Sequence, residues 1–110
     1  MEVVFEVHNQ LGPGFTGDIY EKALVYELKQ AGIAFEQQKI IPVQYKNEQI
    51  GTYRLDLVID DKIILELKAI SVLSDIHKQQ VAAYLKAADL RLGIIINFGT
   101  KRVEYKRIAN

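Results

Sequence analysis

The chain has 110 residues, with 14 Lys plus Arg against 14 Asp plus Glu and no cysteine. That length suffices for one domain, residues 1–110, with a core of its own, and the lack of cysteine excludes a disulfide framework and thiolate metal or redox chemistry. Balanced charge excludes a general attraction to nucleic acid, so any such contact needs a local basic patch or a bound metal.

No apolar run approaches bilayer length, and Met1-Glu2-Val3-Val4 lacks the basic region of a signal peptide. The expectation is a cytoplasmic protein with no membrane partner. Val3, Val4, Val7 and Leu11 fall at helical spacing and predict a first helix over residues 2–11, stopped by Gly12-Pro13-Gly14. His8 borders that apolar stripe and reads as a packed or surface residue. A second helix begins near Thr16 or Asp18, either of which can cap it, and runs to Gln30, with Gly32 as a left-handed terminator. Tyr20, Leu24 and Leu28 form its apolar stripe, and Gly17 and Glu21 share one face, being four residues apart.

Residues 33–45 are β-rich but contain Pro42, which predicts an edge strand or a bulge. Lys46-Asn47-Glu48 turns the chain into a strand from Gln49 to Ile59. The next turn, Asp60-Asp61-Lys62, leads to Ile63-Ile64-Leu65-Glu66-Leu67-Lys68. Alternate residues face opposite sides of a strand, so Leu55, Leu57 and Ile59 are expected on one face, matched by Ile63, Leu65 and Leu67. A three-residue loop sets Leu57 opposite Leu65 and therefore Asp56 opposite Glu66, with Cβ atoms on the order of 5 Å apart. A two-residue loop would pair Asp56 with Leu65 instead.

Facing carboxylates repel, which raises the pKa of one unless a cation intervenes, and Lys68 adds a positive charge one pleat along. Two carboxylates and a lysine are the equipment for metal-assisted phosphodiester hydrolysis. A salt-bridged patch of an ordinary sheet would carry the same residues.

After Lys68 a short connection reaches Ser74-Asp75, a helix cap, and a third helix runs from Asp75 to Ala88. Val81, Leu85 and Ala88 form its core stripe, while His77, Gln80 and Tyr84 make a separate polar row. Leu92 to Asn97 is a continuous apolar run, the pattern of a strand covered on both faces and the candidate for the sheet centre. A turn at Phe98-Gly99-Thr100 precedes a last strand, Arg102 to Ile108, with Val103 and Tyr105 inward. Lys101, Arg102, Lys106 and Arg107 form the one notable basic cluster, as expected of a solvated edge strand.

Taken together, Leu11-Gly12-Pro13-Gly14-Phe15, Tyr20-Glu21, Ile50-Gly51, Arg54-Leu55-Asp56, Glu66-Leu67-Lys68, His77, Gln80, Tyr84-Leu85 and the run from Leu90 to Gly99 resemble the GxxExxY family of the PD-(D/E)XK nuclease superfamily. The resemblance spans nearly the whole chain. It implies an α/β (α+β) fold, a mixed central β-sheet flanked by helices with the restriction-endonuclease-like order αβββαβ. It further implies Asp56 and Glu66 as metal ligands, Lys68 as the catalytic lysine, and Gln80 and Tyr84 as helix residues facing the site. The ion would be Mg²⁺ (or Mn²⁺), which favours oxygen ligands and keeps several waters, and the reaction in-line attack of water on a phosphodiester.

One position departs from the pattern. The family has a glutamate three residues after Gly14, where this chain has Gly17, and a first-helix glutamate often completes the superfamily's metal site. Glu21, one turn on, is the candidate replacement and a third potential metal ligand, whereas Asp18 is rotated by about 100°. The expectation is therefore a metal-dependent nuclease acting on nucleic acid, DNA before RNA, with a homodimer as an admissible assembly. The alternative is a catalytically impaired module of the same fold that binds nucleic acid or a protein partner.

Overall fold

The glycines end the first two helices where the sequence places them, whereas Thr16 stands at the N-cap of the second without a capping bond, its hydroxyl donating to the Asp18 side chain. In the computed structural model, which describes all 110 residues, α1 (Glu2–Leu11) ends at Gly12 with φ 68°. Thr16 precedes α2 (Gly17–Gln30), which ends with Gly32 at φ 69°. There the Gly32 N–H donates to the Lys29 carbonyl and the Ile33 N–H to the Leu28 carbonyl, a pair of bonds that satisfies carbonyls the helix end leaves free.

Three antiparallel strands follow: β1 (Phe35–Tyr45), β2 (Glu48–Ile59) and β3 (Ile63–Lys68). The β2–β3 loop has the predicted three residues, Asp60 and Asp61 adopting positive φ and the Lys62 N–H closing on the Ile59 carbonyl. Helix α3 (Asp75–Ala88) then carries the chain back to β4 (Leu92–Asn97), parallel to β3, and β5 (Glu104–Ala109) returns antiparallel. The five strands lie in the order β1-β2-β3-β4-β5. The sheet is thus mixed, as expected, with β3 rather than Leu92–Asn97 as its middle strand. β4 is nevertheless buried from Gly93 to Asn97, because it lies between β3 and β5 with a helical layer on each face. Pro42 sits in β1, at the sheet edge, one residue before a register irregularity at Val43/Gln44.

The two faces carry separate cores. α1 and α2 cover Leu57, Leu65, Leu67, Ile94, Ile96 and Phe98, while Val81 and Leu85 of α3 cover Ile41, Leu55, Val58, Ile64 and Ile95. Burial of large apolar side chains, at about 25 cal/mol per Å², is what holds helices to the sheet. Tyr20 is fully buried, as its stripe implies. It stacks on Phe98 at 4.6 Å between ring centroids and donates its hydroxyl to the Gly12 carbonyl at 2.6 Å. Tyr105, expected inward, stays 44% exposed against the edge of Phe5, because β5 is an outer strand that α1 only partly covers. Val103 does pack against the α1–α2 core.

Candidate active site

The site arises where the β2–β3 ladder stops. Ile59 pairs with Ile63, Val58 with Ile64 and Leu57 with Leu65, the register that matched leucines require. Past that pair, β2 continues along β1 and β3 along β4, but side chains replace the backbone bonds between β2 and β3. The Leu67 N–H donates to Asp56 Oδ2 at 2.9 Å, and the Asp56 N–H donates to Glu66 Oε1 at 3.2 Å. Each carboxylate therefore ties one oxygen to the opposite strand, and the Gln38 side chain, which also bonds Glu21, acts on the Asp56 carboxylate as a donor.

A change of face accompanies this opening. Strand alternation predicts Leu55 beside Leu57, yet Leu55 packs under α3 with Ile41, while Leu57 and Phe35 lie on the α1–α2 side. Both strands of the β1–β2 pair thus exchange faces between these residues. At that level Gln38, the residue between the partners of Leu57 and Leu55, has φ 52°, a conformation uncommon for a side-chain-bearing residue within a strand. Strict alternation fails there because it assumes an unbroken pleat.

Burial makes the pair electrostatically tense. Glu66 is 6% exposed, and burial together with the Asp56 charge pushes its carboxyl up to about 7. Burial also raises Asp56, opposed by the hydrogen bond from Leu67 and reinforced by the Glu21 carboxylate. Lys68 offsets part of this repulsion at both carboxylates, and its ammonium takes part in none of the chain's ion pairs, which join Lys39 to Glu36, Lys62 to Asp60 and Lys78 to Asp75. A closed salt bridge at Lys68 is therefore not its role.

Tyr84 reaches the same region from α3. Its ring packs on Tyr53 at 4.8 Å, and burial, then the Glu66 charge, raises its hydroxyl above the ordinary tyrosine value. Gln80, one turn earlier, is exposed and makes no side-chain hydrogen bond within the chain. His77 closes the helix start instead, with Nδ1 accepting from the Ser74 N–H at 3.1 Å. Glu21 projects from α2 toward the β1 edge, where Gln38 donates to both its oxygens at 2.9 and 3.0 Å and Gln37 to one at 2.9 Å. Sequence reasoning missed Gln37, Gln38 and Tyr53. Only the packing of α2 and α3 against the sheet brings the first two to Glu21 and sets Tyr53 against Tyr84.

No three His, Asp or Glu side chains come close enough together to cage a metal ion, so Glu21 does not join Asp56 and Glu66 in one ligand cluster. The pair alone still fits a hard divalent cation. It offers two carboxylates anchored by backbone N–H groups and a like-charge repulsion that such a cation relieves, and Mg²⁺ is commonly held by one or two carboxylates plus waters.

At the Lys68 end of β3 the chain is fastened by Asn97, which pairs with Lys68 and is fully buried. Its Oδ1 accepts from the N–H groups of Ile70 and Gly99, both at 3.0 Å, and its Nδ2 donates to the Ile70 carbonyl at 2.9 Å and to Glu104 at 3.1 Å. Gly99 is needed for that approach, since a Cβ there would overlap the Ile70 backbone. Lys68 thus projects from a strand end whose connecting loop is pinned.

The chain matches the PD-(D/E)XK nuclease superfamily over residues 1–108. No curated protein shows significant similarity to it. Among solved structures it is similar to one titled "Crystal structure of SSO0001", with a TM-score of 0.66 and 22% identity, over 86% of this chain and 50% of that one. The chain therefore spans half the length of that relative, and the likeness concerns the fold. With the mixed sheet, its flanking helices and a match over almost every residue, the chain belongs to the PD-(D/E)XK nuclease superfamily.

Proposed function

We propose that this domain is a Mg²⁺-dependent nuclease of the GxxExxY branch that hydrolyses phosphodiester bonds in DNA in the cytoplasm. The observation that carries the proposal is the convergence of Asp56 and Glu66 across the opened β2–β3 ladder, with Lys68 unpaired beside them. Asp56 and Glu66 would hold the cation, which when bound supplies Lewis-acid polarisation of the phosphoryl group and activation of water. Lys68 orients the attacking water or stabilises negative charge growing on the phosphoryl oxygens, through a preorganised ammonium at the end of a pinned strand. The Leu67 and Asp56 N–H groups fix the two carboxylates, so they need little reorganisation on binding a cation.

Glu21 and Tyr84 border the site as positioning groups. Glu21 adds negative field to both carboxylates, and the Tyr84 ring, with Tyr53, screens the α3 side. A homodimer is compatible with the reading and is checked by sedimentation.

A second reading, a catalytically impaired module of the same fold that binds nucleic acid or a protein, is favoured by Gly17 and by the lack of a three-carboxylate cage. The deciding experiment is a cleavage assay with Mg²⁺ or Mn²⁺ on duplex and single-stranded DNA and on RNA, with Asp56→Ala as control. Cleavage by the native chain alone supports the enzyme, and nucleic-acid binding without cleavage supports the module.

A further inference from the structure

We propose that a cleft formed by α1 and the β4–β5 loop, at the Lys68 end of the sheet, binds the phosphate backbone of the nucleic acid a few nucleotides from the bond to be cut. The cleft, of about 320 Å³, is lined by Phe5, His8, Asn9, Lys101, Arg102 and Val103. This inference rests on the nuclease reading and supplies something that reading lacks, a means of holding a polyanion next to carboxylates.

The electrostatic need is plain. The chain has no net charge, and the catalytic region sets Asp56, Glu66 and Glu21 against one lysine. Such a surface repels phosphate until a cation binds, so the backbone must be held by positive charge elsewhere. Lys101 and Arg102 are exposed and take part in no ion pair. They sit over a floor of mixed apolar and polar side chains, with His8 Nε2 bonded to the Thr100 carbonyl at 2.9 Å, which steadies the loop carrying both cations against α1.

Topology puts this loop at the correct end of the sheet. β3 and β4 are parallel, Lys68 pairs with Asn97, and the Phe98 N–H donates to the Lys68 carbonyl at 2.8 Å. Lys101 is four residues beyond Asn97, at most about 14 Å of extended chain, and adjacent strands are about 4.8 Å apart. The Lys101 Cα is therefore within about 19 Å of Lys68, no more than roughly six nucleotide rises of 3.4 Å. The Asn97 and Gly99 bonds that pin the end of β3 also pin the start of this loop, so cleft and catalytic lysine keep a fixed separation.

The test compares the native chain with Lys101→Ala/Arg102→Ala and with Lys106→Ala/Arg107→Ala, the last removing two exposed cations of β5 that do not line the cleft. Binding of a fluorescent DNA duplex is measured against salt, in EDTA and again with Ca²⁺, with melting curves to establish that each variant folds. The cleft pair should weaken binding roughly tenfold and make the slope of log K against log salt shallower by about 1.8, or 0.9 for each phosphate no longer neutralised. In cleavage it should raise KM and leave kcat. The β5 pair should change the slope by much less.

If the native chain binds and all three slopes agree, or if the β5 pair carries the loss, the cleft is not the backbone site and the nuclease reading stands. If the native chain binds no nucleic acid in either condition and cuts none, both fail.

Discussion

The β2–β3 hairpin has two ends made of the same kind of strand, and they do different work. At the turn end, Leu57, Val58 and Ile59 pair residue for residue with Leu65, Ile64 and Ile63, and their side chains fill the two cores. At the open end, one residue further, Asp56 and Glu66 use carboxylate oxygens to satisfy the backbone donors that the ladder leaves unpaired. A buried N–H without a partner is costly, so the opening is tolerated because these acids fill it. The acids in turn are fixed by those bonds. The site is thus a continuation of the sheet by other means: ending a ladder and orienting two carboxylates are one structural event.

The sharpest way to break this contrast is at Lys68. Removing a preorganised charge from an electrostatically catalysed site commonly costs about 10²–10³ in rate, so Lys68→Ala should lower cleavage by that factor in a single-turnover assay, with a smaller loss in melting, since the lysine joins no ion pair but offsets part of the carboxylate repulsion. A variant that loses stability and not rate would make Lys68 part of the turn end's scaffolding.

The next largest effect is on pH. The folded pKa of Glu66, about 7, lies above its ordinary 4.5, so the folded chain binds more protons between those values. The sign follows: metal-free stability falls as pH rises through that window, by about 3 kcal/mol in all. Asp56, also raised, acts in the same direction. Urea unfolding in EDTA at pH 5 and pH 8 measures the loss, and Glu66→Gln should flatten it. Equal pH dependence in both proteins would mean that the open end carries no electrostatic tension.

A divalent cation should relieve the same tension. At a hundredfold excess over Kd, Mg²⁺ or Mn²⁺ binding to the folded state alone adds about 2.7 kcal/mol, and Glu66→Gln should erase the gain. Thermal melting with millimolar metal reads it directly, and an unmoved native midpoint counts against a site at the open end.

The smallest effect concerns α2. Gly17 opens that helix with nothing within 4 Å of where a Cβ would stand. Gly17→Glu should therefore fit, gaining a few tenths to about 1 kcal/mol from helix propensity and from a carboxylate in the first turn. If Gly17 marks a lost ligand, calorimetry should also show tighter Mg²⁺ binding. If Glu21 serves instead, Glu21→Gln should weaken binding and Gly17→Glu add little. Two silent substitutions would confine metal binding to the two strands.

Much of the chain is legible in its residues because the signals are local. Glycines able to adopt positive φ end α1 and α2, a three-residue loop and two matched leucine rows set the hairpin register, and Pro42 points to an edge. That register carries Asp56 and Glu66 to the level just past the last ladder pair, where each carboxylate bonds the opposite strand's backbone, and Lys68 follows one pleat on. These features depend on neighbours in the chain, and sequence reports neighbours well.

Other features depend on partners far along the chain. The Gln38 and Asp56 level, where β1 and β2 exchange faces, sends Leu55 under α3, and alternation cannot foresee it because the break is set by a positive φ and by two cores on opposite faces. The two glutamines that engage Glu21, the Tyr53 ring over Tyr84 and the fourfold bonding of Asn97 join residues from separate elements. So does the cleft that sets Lys101 and Arg102 beside α1. Composition and spacing determined which acids face each other; only the packing of α1, α2 and α3 around the sheet decided how deeply they are buried, how strongly their charges interact, and which cations stand within reach, since burial and long-range electrostatics belong to the assembled fold.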